Sequence, residues 1–423
     1  MLRGGETGMR RRITAAVVTW NSERLIPALS ETLRKLQPVC RILISDNASE
    51  DGTVELLRRQ VPGAEVLVNP RNGGFGYGNN RALEACRTEY LLLLNSDASI
   101  EVPDLDILAR TLDGNKGLAG VQPLLRLWGW PMVTLSAGCS MNEYGRGYDM
   151  DSMHFQPFPR TGPEKVPCIT AALSLFRTDA LRRVGGFDER MFMYFEDIDL
   201  SLRLRAAGMD LLLNPEARGL HMLGASSERK AARAWELRSS AYLARKYLGG
   251  AGCRIPGYWM RREWRTRLHC LLRGIPWLWR LRAVYDAGRT GTRRVELPRE
   301  VLGEVLAPRP LRMPLPRPPS AGGAGFSASG VKPGPGWRGK LTGAWGFGCL
   351  EVPSRGGTLA MDVRSRNISG SAGLWSDGQC LNRTFAGTSF SSLSAEVPHG
   401  ETRVYVVPDR PEQVLELENA DYE

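Results

Sequence analysis

The chain has 423 residues and a net charge of +11, with 56 Lys and Arg against 45 Asp and Glu. This length exceeds one ordinary domain and predicts two or three folded units. The basic excess favours anionic partners such as nucleotide phosphates, acidic lipid headgroups or an anionic glycan. Eight scattered cysteines without a Cys-x-x-Cys pair argue against a zinc site and fit a reduced, cytosolic protein.

Targeting and membrane signals are absent from the sequence pattern. The charged N-terminus is followed by no apolar run, so it does not resemble a secretion signal. No window supplies the roughly 18 uninterrupted apolar residues that a membrane-spanning helix needs. We therefore expect a cytoplasmic protein.

The first ninety residues alternate between short apolar runs and segments with helical spacing. Apolar runs at 13–20, 41–45 and 66–68 predict strands, and helical patterns follow at 23–36 and from Thr53. Such alternation predicts an α/β domain with a parallel, doubly wound sheet.

Residues 90–100 contain the most informative stretch, YLLLLNSDASI. Four leucines in a row, stopped by Asn95, Ser96 and Asp97, predict a strand that is buried on both faces. Asp97 then lies at the carboxyl end of a strand, where open α/β sheets bind ligands. An Asx turn that closes the strand is the alternative explanation.

A second group of carboxylates opens a predicted helix. Glu196, Asp197 and Asp199 follow an aromatic cluster at 192–195. The helix dipole favours acidic residues in a first turn, which is a purely structural explanation. Neighbouring apolar surface can also tune the proton affinity of a carboxylate, which favours a role in acid-base chemistry.

Two other stretches lack clear periodicity. Residues 69–80 are rich in glycine, which permits close approach of the backbone to a ligand or merely shapes a loop. Residues 128–167 carry many turn formers, and a loop of that length in a compact domain is usually functional or flexible.

Residues 229–294 are strongly basic, with 17 Lys and Arg against three acidic residues and with interleaved tryptophans. A basic amphipathic segment with interfacial aromatics can lie on an anionic membrane surface. Helices packed by tryptophan, with solvated arginines, would show the same composition. No recognition motif accompanies the charge, so we expect no nucleic-acid partner.

These patterns predict four segments. Residues 12–245 form the α/β domain, and 246–306 form a basic amphipathic helical extension. Residues 307–338 have the Pro/Gly-rich composition of a linker. Residues 339–423 contain short β-leaning runs and predict a small β-sandwich as an accessory domain.

Seven short motifs occur in a fixed order along residues 12–245. They are VVTWNS from Val17, SDNASEDGT from Ser45, NGGFGYGN from Asn72, LNSD from Leu94, GFDE from Gly186, FEDIDL from Phe195 and HMLGAS from His221. In order and spacing they resemble the family 2 glycosyltransferases, and within them the rhamnosyltransferase-like members that build bacterial surface polysaccharides.

The resemblance implies a GT-A fold, a Rossmann-like nucleotide-diphospho-sugar transferase domain, and inversion at the anomeric carbon. Asp97 and His221 would hold Mg²⁺ or Mn²⁺ on the diphosphate, and Asp197 would be the catalytic base. Glu196 and Asp199 would bind the acceptor. The residues implied to bind the nucleotide sugar are Thr19, Asn21, Asp46, Asn79, Asn95, Ser96 and Asp97. Asn95 stands where the family's Asp-x-Asp motif has its first aspartate, which removes one charge.

The chemistry explains these residue types. A nucleoside diphosphate leaves readily only when its charge is neutralised, which a divalent cation with oxygen ligands achieves. The attacking hydroxyl must lose a proton, and a carboxylate within hydrogen-bond reach can accept it, for about 10² to 10⁴ in rate. Direct displacement without a protein nucleophile predicts inversion.

We therefore expect transfer of a sugar, with rhamnose from a dTDP or UDP donor as the specific hypothesis, to a glycan or lipid-linked acceptor. The protein would be peripheral on the inner face of the cell membrane. A nucleotidyltransferase is one alternative, but the residues after the first strand lack its glycine-rich, basic phosphate loop. A non-catalytic carbohydrate-binding protein is the other, and Asp97, Asp197 and His221 argue against it.

Overall fold

The chain divides into two compact units. The computed structural model describes residues 12–128, 130–142, 145–152, 154–155, 162–222, 229–248 and 295–306, together with eight C-terminal strands and residue 389. The first unit comprises residues 1–128, 135–152 and 161–310, and the second comprises 129–134, 153–160 and 311–423.

The first half of unit one is a parallel α/β arrangement, as predicted. Its strands are β1 (Ile13–Thr19), β2 (Arg41–Asp46), β3 (Glu65–Val68) and β4 (Tyr90–Leu94). They are connected through a 3₁₀ turn (Glu23–Leu25) and the helices α1 (Ile26–Leu36), α2 (Thr53–Gln60) and α3 (Phe75–Ala85). The strand order is β3-β2-β1-β4, and every pair in it is parallel.

The sheet is extended by strands of both directions. The next elements are β5 (Ala98–Ile100), α4 (Val102–Gly114), β6 (Leu118–Leu127), β7 (Trp130–Ser136), β8 (Cys139–Met141), β9 (Gly147–Asp149), β10 (His154–Phe155) and β11 (Glu164–Lys165). They are followed by β12 (Leu173–Arg177), α5 (Thr178–Arg183), α6 (Glu196–Ala206), β13 (Asp210–His221), α7 (Arg229–Leu248) and α8 (Arg299–Leu306).

Strand β12 runs antiparallel between β4 and β6, so the sheet is mixed. Leu173, at the start of β12, lies opposite Leu94, at the end of β4. Strand β13 then pairs in parallel with β6 and antiparallel with β5. Because β4 ends where β12 begins, the residues that follow β4 and those that precede β12 meet at one edge.

Strand β4 is the centre of the core. All five of its residues are buried, which agrees with the prediction of a strand covered on both faces. Full burial of one leucine contributes about 2 kcal/mol, so four in succession strongly fix the register of β4.

Two stretches without clear periodicity have more regular structure than predicted. Helix α3 begins at Phe75, inside the stretch interpreted as a glycine loop. Residues 128–167 contain five short strands, β7 to β11, of which β8 and β9 form a two-stranded antiparallel sheet. Apart from β7, these described strands are runs of two or three residues, which are too short to show a period of two.

Unit two is rich in antiparallel strands, as predicted for the C-terminal region. The strands are β14 (Arg338–Leu341), β15 (Gly348–Glu351), β16 (Gly357–Ser365), β17 (Gly370–Ser376), β18 (Gln379–Ala386), β19 (Ser391–Val397), β20 (Arg403–Pro408) and β21 (Leu415–Tyr422). They form two four-stranded sheets with the orders β14-β21-β16-β19 and β15-β20-β17-β18.

Most of the predicted basic extension (246–306) and linker (307–338) lies outside the described residues. Helix α7 and helix α8 flank the undescribed part of the extension. Among the helices that the structure describes, none is long and apolar enough to cross a bilayer.

Gly74 provides a test of this fold. Its φ of +92° and ψ of 179° lie in a region that only glycine adopts readily, and a Cβ there would lie 2.2 Å from the carbonyl oxygen of Phe192. We expect Gly74→Ala to lower the free energy of unfolding by about 2 kcal/mol or more, measured by urea denaturation. Gly114→Ala is the control, because nothing lies within 4 Å of a Cβ there. Equal stability of the two variants would contradict the conformation described for Gly74.

Candidate active site

Loops that leave β1 and β2 are tied together at the carboxyl edge of the sheet. The backbone N–H of Asn21 donates to Ser49 Oγ (2.9 Å), and the N–H of Glu50 donates to Asn21 Oδ1 (2.9 Å). Asn21 itself has a left-handed φ of 44°, which asparagine tolerates better than most residues. The two loops are therefore hydrogen-bonded into one wall of the site.

Asp46 lies at the centre of this wall and is fully buried. Its Oδ1 accepts hydrogen bonds from Thr19 Oγ1 (2.8 Å) and Ser49 Oγ (2.6 Å), and its Oδ2 accepts one from the N–H of Ser49 (2.8 Å). The structure thus brings together Thr19, Asn21 and Asp46, three of the residues implied to bind the nucleotide. Trp20, between two of them, is 48% exposed and was not singled out from the sequence.

Asn79 is placed differently from its implied role. It is buried, and its Nδ2 donates to the carbonyl oxygen of Phe75, one turn earlier in α3 (3.0 Å). Asn47, which sequence reasoning did not single out, has its Nδ2 bonded to the carbonyl oxygen of Gly74 (2.9 Å). Asn47 therefore links the β2 loop to the glycine turn before α3.

Asp97 and His221 are in direct contact. His221 Nε2 lies 3.0 Å from Asp97 Oδ1, and Asp97 is only 4% exposed. The pairing of β5 with β13 sets His221 opposite Ala98, and the N–H of Met222 donates to the carbonyl oxygen of Asp97 (2.9 Å). The antiparallel pair thus aligns the two residues predicted as metal ligands, although they are far apart in sequence.

Asn95 and Ser96 complete the turn after β4. The N–H of Asn95 donates to the carbonyl oxygen of Ala172 (2.8 Å), so this turn is joined to the residues before β12. Within the described part of the chain, the buried Oδ1 of Asn95 has no hydrogen-bond partner. A buried acceptor without a donor is costly, and a bound ligand would relieve that cost.

Asp197 lies at the same edge. Its Oδ2 accepts a hydrogen bond from the N–H of Ala171 (3.2 Å), and its Oδ1 accepts one from the N–H of Ile198 (2.8 Å). Ala171 precedes Ala172, the partner of Asn95. Asp97 and Asp197 are therefore connected through two neighbouring residues at the junction of β4 and β12.

The carboxylates at the start of α6 are hard to ionise. Burial, and then the negative charge of Asp149, raise the pKa of Asp197 to about 6. Burial and the charge of Asp197 raise the pKa of Glu196 to about 8. Glu196 is buried, and its Oε2 has no hydrogen-bond partner among the described residues. The site thus holds two adjacent carboxyl groups whose pKa values are raised towards neutral pH.

Asp149 is a residue that the sequence did not reveal. It is exposed on β9, and Cys139 Sγ donates to its Oδ1 (3.4 Å). Besides raising the pKa of Asp197, it interacts electrostatically with His221, so its charge acts on both groups of site residues. No motif marks it, because it belongs to a three-residue strand in a stretch without periodicity.

Asp199 has different surroundings from Asp197. It is fully buried, and its carboxylate accepts hydrogen bonds from Arg203 Nε (2.8 Å), Lys246 Nζ (2.5 Å) and Tyr247 OH (2.8 Å). All three donors belong to α6 and α7, so the carboxylate of Asp199 is engaged by the helix packed behind α6. A contact between Asp199 and the acceptor stays a prediction.

Two family models match this part of the chain. Residues 14–185 match the model described as Glycosyl transferase family 2, and residues 145–296 match the model described as Glycosyl transferase family group 2. The matched residues contain Asp46, Asp97, Asp197 and His221.

Curated relatives point the same way. The chain is 27% identical over 226 residues to N-acetylglucosaminyl-diphospho-decaprenol L-rhamnosyltransferase of Mycobacterium tuberculosis, over 47% of this chain and 71% of that protein. It is 26% identical over 256 residues to rhamnosyltransferase WbbL of Escherichia coli (strain K12), over 54% of this chain and 92% of that protein.

A solved structure, S. aureus TarS 1-349 in complex with UDP-GlcNAc, aligns with a TM-score of 0.44 and 16% identity over 70% of this chain and 84% of TarS. The family matches and the rhamnosyltransferases confirm the resemblance and the GT-A fold class predicted from the motifs.

The raised pKa of Asp197 leads to a testable pH dependence. If Asp197 is the general base that the family resemblance implies, transfer should decline below about pH 6, because a protonated carboxyl cannot accept the proton of an acceptor hydroxyl. Asp149→Asn removes a neighbouring negative charge, so the pKa of Asp197 should fall and the acid limb of kcat/KM should move down by roughly 0.5 to 1 pH unit. Asp179→Asn, at a side chain that is 97% exposed, is the control. An unmoved acid limb in Asp149→Asn would show that Asp149 does not act on the group that titrates.

Proposed function

We propose that this chain, a member of glycosyltransferase family 2, transfers a sugar from a nucleotide-diphosphate donor to a hydroxyl of a glycan or lipid-linked acceptor, with inversion at the anomeric carbon. One observation carries the proposal. The Asp97 and His221 pair and the Asp197 carboxylate flank the same junction of β4 and β12. Departure of the nucleoside diphosphate and attack by the acceptor hydroxyl would therefore take place at the same edge of the sheet.

The donor base and ribose would bind against the wall formed by the β1 and β2 loops. Thr19, Asn21 and Asp46 lie there in one hydrogen-bonded group, and Trp20 offers an exposed aromatic face for stacking. A carboxylate has about four lone-pair sites, so Asp46 can accept a further hydrogen bond from a pyrimidine base. We favour a dTDP or UDP donor on this basis.

A divalent cation, Mg²⁺ or Mn²⁺, would be held by Asp97 and His221. In the described part of the chain, no three His, Cys, Asp or Glu side chains could close a metal site by themselves. Two protein ligands suit a cation whose remaining ligands are diphosphate oxygens and water. The unpartnered Oδ1 of Asn95 beside them fits a polar ligand at this position. When bound, the cation would neutralise charge on the departing diphosphate.

Asp197 would act as the general base. The N–H groups of Ala171 and Ile198 fix its carboxylate, and its pKa of about 6 leaves it ionised but still basic near neutral pH. It would accept the proton of the acceptor hydroxyl as the new glycosidic bond forms. The neighbouring Glu196, with its unpartnered Oε2, remains our candidate for an acceptor contact.

The names of the relatives support a specific substrate class. Both are rhamnosyltransferases, and the mycobacterial one is named for a decaprenyl-diphosphate-linked acceptor. We propose rhamnose as the transferred sugar and a lipid-linked saccharide as the acceptor. The basic segment at 229–294 would then bring the protein to an anionic membrane surface, where such an acceptor is embedded.

The base is tested by Asp197→Asn. Removing the proton acceptor should lower kcat by about 10² or more, while the affinity for the nucleoside diphosphate stays within about twofold. Release of nucleotide in the presence of acceptor measures the first quantity, and calorimetric titration with UDP and dTDP measures the second. Asp179→Asn serves as a control on the exposed surface of α5. Transfer by Asp197→Asn within about threefold of the wild type would overturn the assignment.

The metal site is tested by binding rather than by turnover. Thermal unfolding with UDP or dTDP should show stronger protection in Mn²⁺ than in EDTA, because the cation links the diphosphate to Asp97. Asp97→Asn should lose this difference, and His221→Gln should weaken it. Equal protection with and without metal in the wild type would remove the proposed role of both residues.

A further inference from the structure

Helix α7 inserts a buried lysine between two carboxylates that flank the proposed base. Lys246 is 4% exposed, and its Nζ donates to Asp199 Oδ1 (2.5 Å) and to Asp188 Oδ2 (2.8 Å). In sequence, Asp188 precedes Asp197 by nine residues and Asp199 follows it by two. One ammonium group thus joins both ends of the segment that carries Asp197.

Other donors satisfy the rest of this network. Tyr242 OH donates to Asp188 Oδ2 (2.8 Å), and Arg190 Nε donates to Asp188 Oδ1 (2.7 Å). Burial opposes ionisation of Asp188, but the hydrogen bonds from Arg190 and Lys246 hold its pKa below the usual range. Asp188 is therefore an ionised carboxylate with donors on both of its oxygens, whereas the pKa of Asp197 is raised.

The segment between Asp188 and Asp199 has a strained backbone that contacts with other elements must stabilise. Tyr194 (φ 69°) and Phe195 (φ 66°) are consecutive left-handed residues immediately before α6. Each costs about 1 to 2 kcal/mol relative to a right-handed conformation, so the turn is maintained only by surrounding contacts. These contacts come partly from α7, where Ser239 Oγ donates to the carbonyl oxygen of Met193 (2.9 Å).

The same segment contacts the turn at Gly74, immediately before α3. The N–H of Phe75 donates to the carbonyl oxygen of Phe192 (2.9 Å), and the ring of Phe192 stacks on Trp235 of α7 at 4.4 Å. A shift of α7 would therefore be transmitted to the turn before Glu196 and to the start of α3.

We propose that Lys246 is a positioning residue that, through Asp188 and Asp199, fixes the turn that presents Asp197 to the acceptor hydroxyl. A buried ion pair by itself is poor evidence of stabilisation, because well-packed apolar groups often do as well. Hydrogen-bonded ion pairs fix the geometry of a left-handed turn more specifically than apolar packing does. The inference rests on the proposed function of Asp197 as the base.

The test compares Lys246→Met with Lys246→Arg, with Lys35→Met as a matched control at an exposed ion pair to Glu101. Since a misplacement of about 1 Å can cost on the order of 10² in rate, we expect Lys246→Met to lower kcat at least tenfold. Its affinity for UDP or dTDP should stay within about twofold, and Lys246→Arg should recover a third or more of the wild-type kcat. A loss of kcat matched by an equal loss of nucleotide affinity would indicate general disruption and overturn the proposal, as would an unchanged kcat.

Tyr242→Phe covers the case in which Lys246→Met fails to fold, because it removes only one hydroxyl from the network. We expect kcat to fall about threefold to tenfold, while the midpoint of thermal unfolding falls by only a few degrees. Hydrogen exchange gives a readout that does not depend on transfer. Amides of residues 188–199 should exchange faster in the variants, while those of β1 and β2 should not, and uniform or unchanged exchange would contradict the positioning role. A wild-type protein without transfer activity would instead refute the proposed function.

Discussion

The pairing of β4 with β12 is the constraint on which the site depends. Four buried leucines fix β4 in the core, and the antiparallel register sets Leu94 opposite Leu173. Because one strand ends where the other begins, the turn that carries Asp97 and the residues that bind Asp197 share an edge. A parallel strand in the position of β12 would have begun at the opposite edge, and Ala171 could not have reached Asp197.

Charge is distributed in two different ways around this edge. Asp188 and Asp199 are surrounded by Lys246, Arg190 and Arg203, so their negative charge is neutralised inside the protein. Asp197 and Glu196 receive no such cation in the described ion pairs, and burial together with neighbouring negative charge raises the pKa of both. The first pair holds the backbone, and the second pair retains the capacity to exchange protons. This division is what a site needs if its base is to be both fixed in place and reactive.

A feature could be predicted from the sequence when the residues that produce it are close together in the chain. Strands β1 to β4 were predictable, because apolar runs that are stopped by turn residues are local signals. The proximity of Asp97 and His221 came from the family resemblance, and the structure supplies its cause in the pairing of β5 with β13. Asp149 and Lys246 could not be found in this way, since their importance arises from contacts across the fold that leave no periodic pattern.

The different surroundings of Asp197 and Asp199 follow from helix geometry. Successive residues of an α-helix are rotated by about 100°, so Asp197 and Asp199 point about 200° apart. If one of them faces the sheet edge, the other must face away, and in this fold the opposite side is covered by α7. The spacing leaves Asp197 at the junction of β4 and β12, where the N–H of Ala171 meets it, and turns Asp199 to the helix packed behind α6, where Lys246 meets it.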